Sequence, residues 1–330
     1  MGQSNSFSRA MYADETTFGT AVSRDTVLSR LQSISVSENN NMIYERGLGE
    51  GINIVKSYYG PYDCDFSGNL NVNDFDFFQF FVGPKSGSGT SGTPYVLTEA
   101  TVGLIGETNA LDSFTLEVIN TTESTNDGKL LSGCVGNEFS LSGSINNPLT
   151  ASFNGFAQKA LSTTTATSYT PSTINSYMMN GGVFKWGSSP STLPGVRSFT
   201  LNYTNGMDKN MFRNTDSRLI EKPVLGAGRT YTGSLTVRLT QSLAATIYTS
   251  FYGQTHTSGP IDDGTSIATP NLEFEIDLAN GSRGATIALD QCSINDITND
   301  HDIGGGLREM TFNFTAQAGK NNTPIKWWNS

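Results

Sequence analysis

Between residues 63 and 74 the chain sets oxygen-bearing side chains at the spacing of a calcium loop. Asp63, Asp65, Ser67, Asn71 and Asp74 fall at the ligand positions of that register, with Gly68 at its turn and Leu70 at its inward apolar place. Their chemistry would be coordination of a hard cation by carboxylate and amide oxygens. Other chemistry is poorly provided for. His256 and His301 are the only histidines, and Asp300, His301 and Asp302 are adjacent, a spacing that seldom converges on one ion. Gly87, Gly89 and Gly92 fit G-x-G-x-x-G, yet Pro94 follows and no helix opens there. No G-x-S-x-G elbow or G-K-[ST] loop is present. The expectation is a protein that is not an enzyme and carries no cofactor.

Which elements hold residues 63–74 decides between a metal loop and something plainer, and internal similarity supplies them. "SISV" (33–36) then "NNNM" matches "SFTL" (198–201) then "TNGM"; "SGNLNV" (67–72) matches "TGSLTV" (232–237); "FFVG" (80–83) matches "SFYG" (250–253). "FTLEVI" (114–119) matches "LEFEID" (272–277), Cys134 lines up with Cys292, and "FNGFAQ" (153–158) matches "FNFTAQ" (312–317). The second copy carries none of the aspartates. What the copies share is an alternating strand followed by an aromatic segment ending in Gly, so residues 63–74 read as a strand-to-helix corner, with calcium as the alternative.

The repeat divides the chain into an N-terminal arm (1–30), a first β domain (31–160), a Ser/Thr-rich linker (161–195), a second β domain (196–320) and a tail (321–330). Period-2 patterning predicts strands at 33–36, 67–72, 95–98, 114–119, 139–145 and 152–157 in the first copy. Short helices are predicted at 73–82 and 239–251, and 84–94 reads as a loop tip.

Composition agrees with a mainly β fold. Of 330 residues only 15% are charged and 36% hydrophobic, and much of the rest is Gly, Ser, Thr and Asn, which suit strands and turns better than long helices. A net charge of −10 with 20 scattered Lys and Arg argues against a surface that grips nucleic acid. Cys64, Cys134 and Cys292 form no C-x-x-C pair, pointing to a reducing compartment. The start lacks the apolar core of a signal peptide, and no run of about 18 apolar residues predicts a membrane span. The M-G-x-x-x-S match to a myristoylation site reads as a flexible arm. Asn-x-Ser/Thr triplets such as those at Asn120 and Asn202 follow from composition.

Two segments suggest contacts between subunits. Trp327 and Trp328 near the chain end read either as a docking element or as core packing. The stretch between the first two strands is too long for a hairpin turn and carries Tyr44, Tyr58 and Tyr59.

"ADETTFGTA" (13–21), "GVRSFTLNYTNGMD" and "GAGRTYTGSLTVRL" resemble the tail tube proteins of long-tailed phages, over roughly residues 13–317. Asp63, Asp65 and Asp74 depart from that pattern. The resemblance implies two tandem β-sandwich or rolled-sheet domains, each with a short flanking helix, whose strands join between subunits to line a tube. It implies a homo-oligomeric ring, a trimeric pseudo-hexamer by the duplication or otherwise a hexamer, stacked in the virion tail after assembly in the host cytoplasm. Its acidic and polar lumen, lined by Asp, Glu, Asn, Ser and Thr, would conduct DNA into the host and hold a tape measure protein and genomic DNA without sequence-specific binding, with Glu38, Glu45, Glu50 and Asp277 as lumen candidates. The alternatives are a distal tail or baseplate hub protein of the same fold, or a calcium-binding adhesive β-sandwich module.

Overall fold

Ser, Thr and Asn alternate with Ile, Val, Leu and Phe along most segments, which places polar side chains on one face of a strand and apolar ones on the other. The computed structural model describes residues 7–46, 54, 56–100, 111–121, 126–165, 167–168, 170, 172–209, 218–225, 228–252, 272–299 and 308–329. In the first half the strands are β1 (Phe7–Asp14), β2 (Thr26–Val27), β3 (Leu31–Asn39), β4 (Ile43–Glu45), β5 (Lys56–Tyr58) and β6 (Asp63–Asn71). After helix α1 (Gln79–Val82) come β7 (Lys85–Ser86), β8 (Tyr95–Leu97), β9 (Phe114–Thr121), β10 (Asn126–Ser144), β11 (Thr150–Ala157) and β12 (Lys159–Thr163). The second half has β13 (Gly182–Gly187), β14 (Ser191–Thr192), β15 (Val196–Thr204), β16 (Met207–Asp208), β17 (Val224–Leu225) and β18 (Thr230–Arg238). Helix α2 (Gln241–Tyr252) then precedes β19 (Leu272–Asn280), β20 (Arg283–Asn299), β21 (Glu309–Ala316), β22 (Ala318–Gly319) and β23 (Ile325–Trp328).

All pairings are antiparallel. In the first half β2, β1, β9, the start of β10 and β12 lie side by side, while β3, β6, β11 and the end of β10 form a second set. In the second half β14, β13, β19, the start of β20 and β22 lie together, and β15, β18, β21 and the end of β20 form the corresponding set. Each of these pairings of the first half thus has a counterpart in the second. The counterparts extend to irregularities: β10 is bulged between Gly136 and Glu138, and β20 between Ile294 and Asp296. Such bulges bend a strand, and both long strands pass from one sheet to another along their length.

β10 also pairs with β15, from Glu138 opposite Thr204 to Ser144 opposite Ser198. The two four-strand sets therefore merge into one sheet, in the order β3, β6, β11, β10, β15, β18, β21, β20. Its apolar face packs on the two outer sheets: Phe66 meets Phe114 at 5.6 Å, and Trp186 meets Phe312 and Phe314 at 5.2 Å each. Residues from both halves share one hydrophobic core. Among the described residues the sheets do not close into a barrel.

Helix α1 and the 3-10 turn before it (Asp76–Phe78) form an aromatic plug. Phe77 makes edge contacts with Phe81, Phe114 and Phe153 at 5.5, 5.5 and 5.0 Å. The geometry suits ring quadrupoles, and Phe75, Phe77, Phe78, Phe80 and Phe81 are all buried.

The segments expected as arm, linker and tail are woven into these sheets. β1 pairs with β9 along its full length and buries Ala10, Met11, Tyr12 and Ala13. Residues 161–195 contain most of β12 and all of β13 and β14. β23 pairs with β20 on one side and β8 on the other, joining the first half to an outer sheet of the second.

The loop after β1 is pinned by one carboxylate. Glu15, 9% exposed, accepts hydrogen bonds from the Gly19 N–H (3.0 Å), the Ser113 hydroxyl (2.9 Å), the Thr115 hydroxyl (2.8 Å) and the Gly133 N–H (2.9 Å). Gly133 has φ +66, and a Cβ there would lie 3.0 Å from the Phe18 ring, so the N–H can face Glu15 only with a small residue in this left-handed position.

Candidate functional site

Residues 63–71 are strand, so the cation register is stretched out. At a rise of about 3.4 Å per residue, Asp63 and Asn71 lie roughly 27 Å apart, against ligand distances of about 2.4 Å around one Ca²⁺. Each side chain has other business. Asp63 accepts from the Asn41 amide at 2.5 Å, Asp65 pairs with Lys209 at 2.7 Å, and Ser67 is exposed on the same face as Asn71. The structure does not bring these residues together, and the described residues hold no cluster of three or more His, Cys, Asp or Glu able to bind a metal.

Asp74 closes the corner by accepting the Asp76 N–H at 3.2 Å. Burial pushes its carboxyl up to about 6, helped by the charge of Asp76. The unfolded chain releases this proton near pH 4, so between about pH 4 and 6 the fold holds a proton that the unfolded chain has lost. The stabilising contribution is complete below pH 4 and gone above pH 6. Asp74→Asn, which keeps an oxygen for the Asp76 N–H, is expected to raise stability by about 2 kcal/mol at pH 7.5 and to change little at pH 3.5. Urea unfolding at the two pH values measures this, and an equal effect at both would remove titration as its cause.

The outer face of the eight-stranded sheet is chemically uniform. Ser33, Ser35 and Ser37 on β3 are followed across it by Ser67 and Asn69, Ser152 and Asn154, and Ser140 and Ser142. Thr200 and Asn202, Ser234 and Thr236, Thr311 and Asn313, and Asp296 and Thr298 continue it. Cross-strand hydrogen bonds tie the hydroxyls and amides down: Asn69 to Ser33 (3.0 Å), Asn154 to Glu138 (2.9 Å), Ser142 with Thr150 (2.8 Å), Thr236 with Thr311 (2.9 Å) and Asn313 to Asp296 (2.7 Å). Such pairs stabilise a sheet by tenths of a kcal/mol each.

Cations stand only at the ends of these strands. Lys209 bonds Asp65 at one end; at the other Arg197 pairs with Glu309 and Arg238 lies opposite Glu309 in register. Between these rims the described face carries no Lys or Arg. Concavities of about 450, 480 and 190 Å³ indent it. At its two limits β3 pairs only with β6, and the end of β20 only with β21, among the described residues, leaving two open edges.

The residues expected as lumen acids lie elsewhere. Glu38 is on the opposite face of β3, where it accepts from the Tyr62 hydroxyl (2.6 Å) and pairs with Lys129 (2.7 Å). Burial alone would raise its carboxyl, but these partners hold it below the ordinary carboxylate range. Glu45 sits on the β4–β5 ribbon and accepts from the Tyr58 hydroxyl at 3.0 Å. Asp277 belongs to an outer sheet, paired with Lys185 (2.5 Å) and bonded by Thr286 (2.7 Å). Glu50 lies outside the described residues, as do His256 and His301.

Of the expected contact residues, Tyr44, Tyr58 and Tyr59 are exposed on or beside the ribbon. Trp327 is a correction: it is fully buried, 5.2 Å from the Tyr95 ring and 6.1 Å from Phe75, because β23 carries it into the core between β8 and β20. Trp328 is half-buried over Gly284. Sequence reasoning expected an acidic and polar lumen but did not assign it to these strands, although the signal was the polar partner in each alternating strand.

Fold and surface together are those of a β-rich protein with two sheet edges unpaired among the described residues and a broad face of hydroxyls, amides and a few carboxylates. A family model described as phage tail tube protein matches residues 8–316, and the chain belongs to that family. No curated protein matches the chain. Membership makes it a structural component of the virion tail that assembles into a tube of many subunits. Among the described residues no helix is long and apolar enough to cross a membrane.

Proposed function

We propose that copies of this chain join edge to edge into rings, that the rings stack into the tail tube, and that the Ser/Thr/Asn face lines the lumen through which the genome passes. The observation that carries the reading is the single eight-stranded sheet whose outer face lacks cations between its rims and whose two limiting strands are unpaired among the described residues. A head-to-tail contact between different edges closes into a ring when its rotation permits, and pairing removes the exposed edges. A face of hydroxyls, amides and a few carboxylates gives phosphate no basic foothold, so DNA and a tape measure protein can slide along it.

The recurring order of pairings supports a chain made of two copies of one unit. Within it the β10–β15 junction is the pattern for the junction between chains. Pairings within each half align Ser140 with Thr298 and Asn202 with Ser37, and Ser140 pairs with Asn202. By that pattern Thr298 of one chain faces Ser37 of the next. Three chains then make a ring of six quasi-equivalent units. Negative-stain electron microscopy with mass photometry tests the reading: hollow rings or tubes with a three-chain ring mass are expected. A six-chain ring would keep the conduit and overturn the paired-unit geometry, whereas a monomer that persists on concentration would overturn the conduit.

A further inference from the structure

Two excursions leave the large sheet at corresponding places, one between β3 and β6 and one between β15 and β18, and they are treated differently. The second, built on the β16–β17 ribbon, is seated on the first half of its own chain. The Met207 N–H donates to Asn137 Oδ1 at 3.0 Å, and Met207 packs on the small core cluster of Ala100, Leu111 and Val135. Ile220, 1% exposed, accepts from the Gln158 amide at 3.0 Å. The first excursion, built on the β4–β5 ribbon, meets its own chain through Arg218, which lies 4.8 Å from the Tyr59 ring, donates to Asn40 Oδ1 at 3.3 Å and accepts the Tyr62 N–H at 3.0 Å, but its apolar side chains stay exposed. Met42, Ile43, Tyr44, Ile54, Tyr58 and Tyr59 are six of the ten exposed large hydrophobic side chains among the described residues, a concentration that marks a contact surface.

The seat used by the second excursion has a counterpart. Asn137 occupies the bulge of β10 and Asn295 the bulge of β20. Gln158 directly follows β11 and Gln317 directly follows β21. Asn295 and Gln317 are both exposed. Met42 stands to β3 as Met207 stands to β15, each three residues beyond its strand's end. A chain holds no second half beside β3; only a neighbouring copy can supply one.

We propose that the β4–β5 ribbon docks on the second half of the adjacent copy, beside Asn295 and Gln317, with the Met42 N–H held by Asn295 as Asn137 holds that of Met207 within one chain. This rests on the edge-to-edge ring proposed above. The ribbon is then a clasp across the lateral junction, burying its apolar residues only on assembly.

Mixing single-cysteine variants tests it. Met42→Cys and Asn295→Cys, both at exposed positions, are combined under copper phenanthroline oxidation and read on non-reducing gels, with circular dichroism confirming that each variant is folded. A second mixture, Ser37→Cys with Thr298→Cys, reports the sheet junction. The native cysteines are all buried. Heterotypic dimers in both mixtures, absent from either variant alone, are expected. Linkage of the sheet pair without the ribbon pair would overturn the docking and leave the ring standing. Linkage of the ribbon pair alone would uphold the docking and overturn the sheet register. Linkage of neither, in a sample that mass photometry finds monomeric, would overturn both.

Discussion

Replacing Glu15 by alanine is expected to remove about 3–5 kcal/mol of folding stability, a loss of roughly 10 °C in melting temperature. The carboxylate takes two backbone N–H groups, from Gly19 and Gly133, and two hydroxyls, from Ser113 and Thr115. The hydroxyls can rotate toward other acceptors, but the N–H groups are fixed by the backbone, and each buried donor left unpaired costs about 1–3 kcal/mol. Glu15→Gln keeps one accepting oxygen and should recover about half of the loss. Thermal and urea unfolding followed by circular dichroism measure the series. A loss below 1 kcal/mol for the alanine variant would mean that water replaces the carboxylate, and that the loop after β1 is held by Phe18 and the β1–β9 pairing instead.

This network also shows what the sequence could convey. The stretch "ADETTFGTA" resembled the family as a string, but the reason for its glutamate lies in residues far along the chain that approach only when β1, β9 and β10 are adjacent. Strand positions and both helices were legible because alternation and the aromatic run after residue 73 are local signals. The aspartates at 63 and 65 kept calcium open as the alternative because a polar residue at every second position satisfies a ligand register and an exposed strand face alike; the absence of aspartates from "YTGSLTV" was the discriminating fact. Register was less legible. "SGNLNV" and "TGSLTV" align Leu70 with Leu235, yet Ile34 lies opposite Gly68 while Phe199 lies opposite Leu235, so the two strands correspond with a two-residue offset. A slip of two keeps every side chain on its face, which is why hydrophobic patterning could not detect it. Trp327 was ambiguous for a related reason: a chain end carries no periodicity long enough to reveal pairing, and burial comes from β8 and β20, both distant in sequence.

The Ser/Thr/Asn face makes the largest functional prediction. Ser140 and Asn202 stand opposite each other at the β10–β15 junction, near the middle of the large sheet. Lysine at either position would put a cation where the described face has none, and two lysines beside the single carboxylate of Glu138 leave a net positive charge that assembly repeats in every subunit of every ring. A cation contacting phosphate releases counterions, and the observed affinity falls with salt with a slope of about −0.9 per contact on a log-log scale. Tubes of Ser140→Lys/Asn202→Lys are therefore expected to assemble normally, because both sites point away from the core, yet to retain DNA at least about tenfold more strongly than wild-type tubes at 50 mM salt. The excess should shrink steeply at 300 mM. Ser140→Gln/Asn202→Gln, of similar reach without charge, should behave as wild type, which separates electrostatic drag from narrowing of the passage. If lysine-bearing tubes form and hold no more DNA than wild type at low salt, the Ser/Thr/Asn face does not line the lumen, and the faces carrying Glu38 and Asp277 become the surfaces to substitute next.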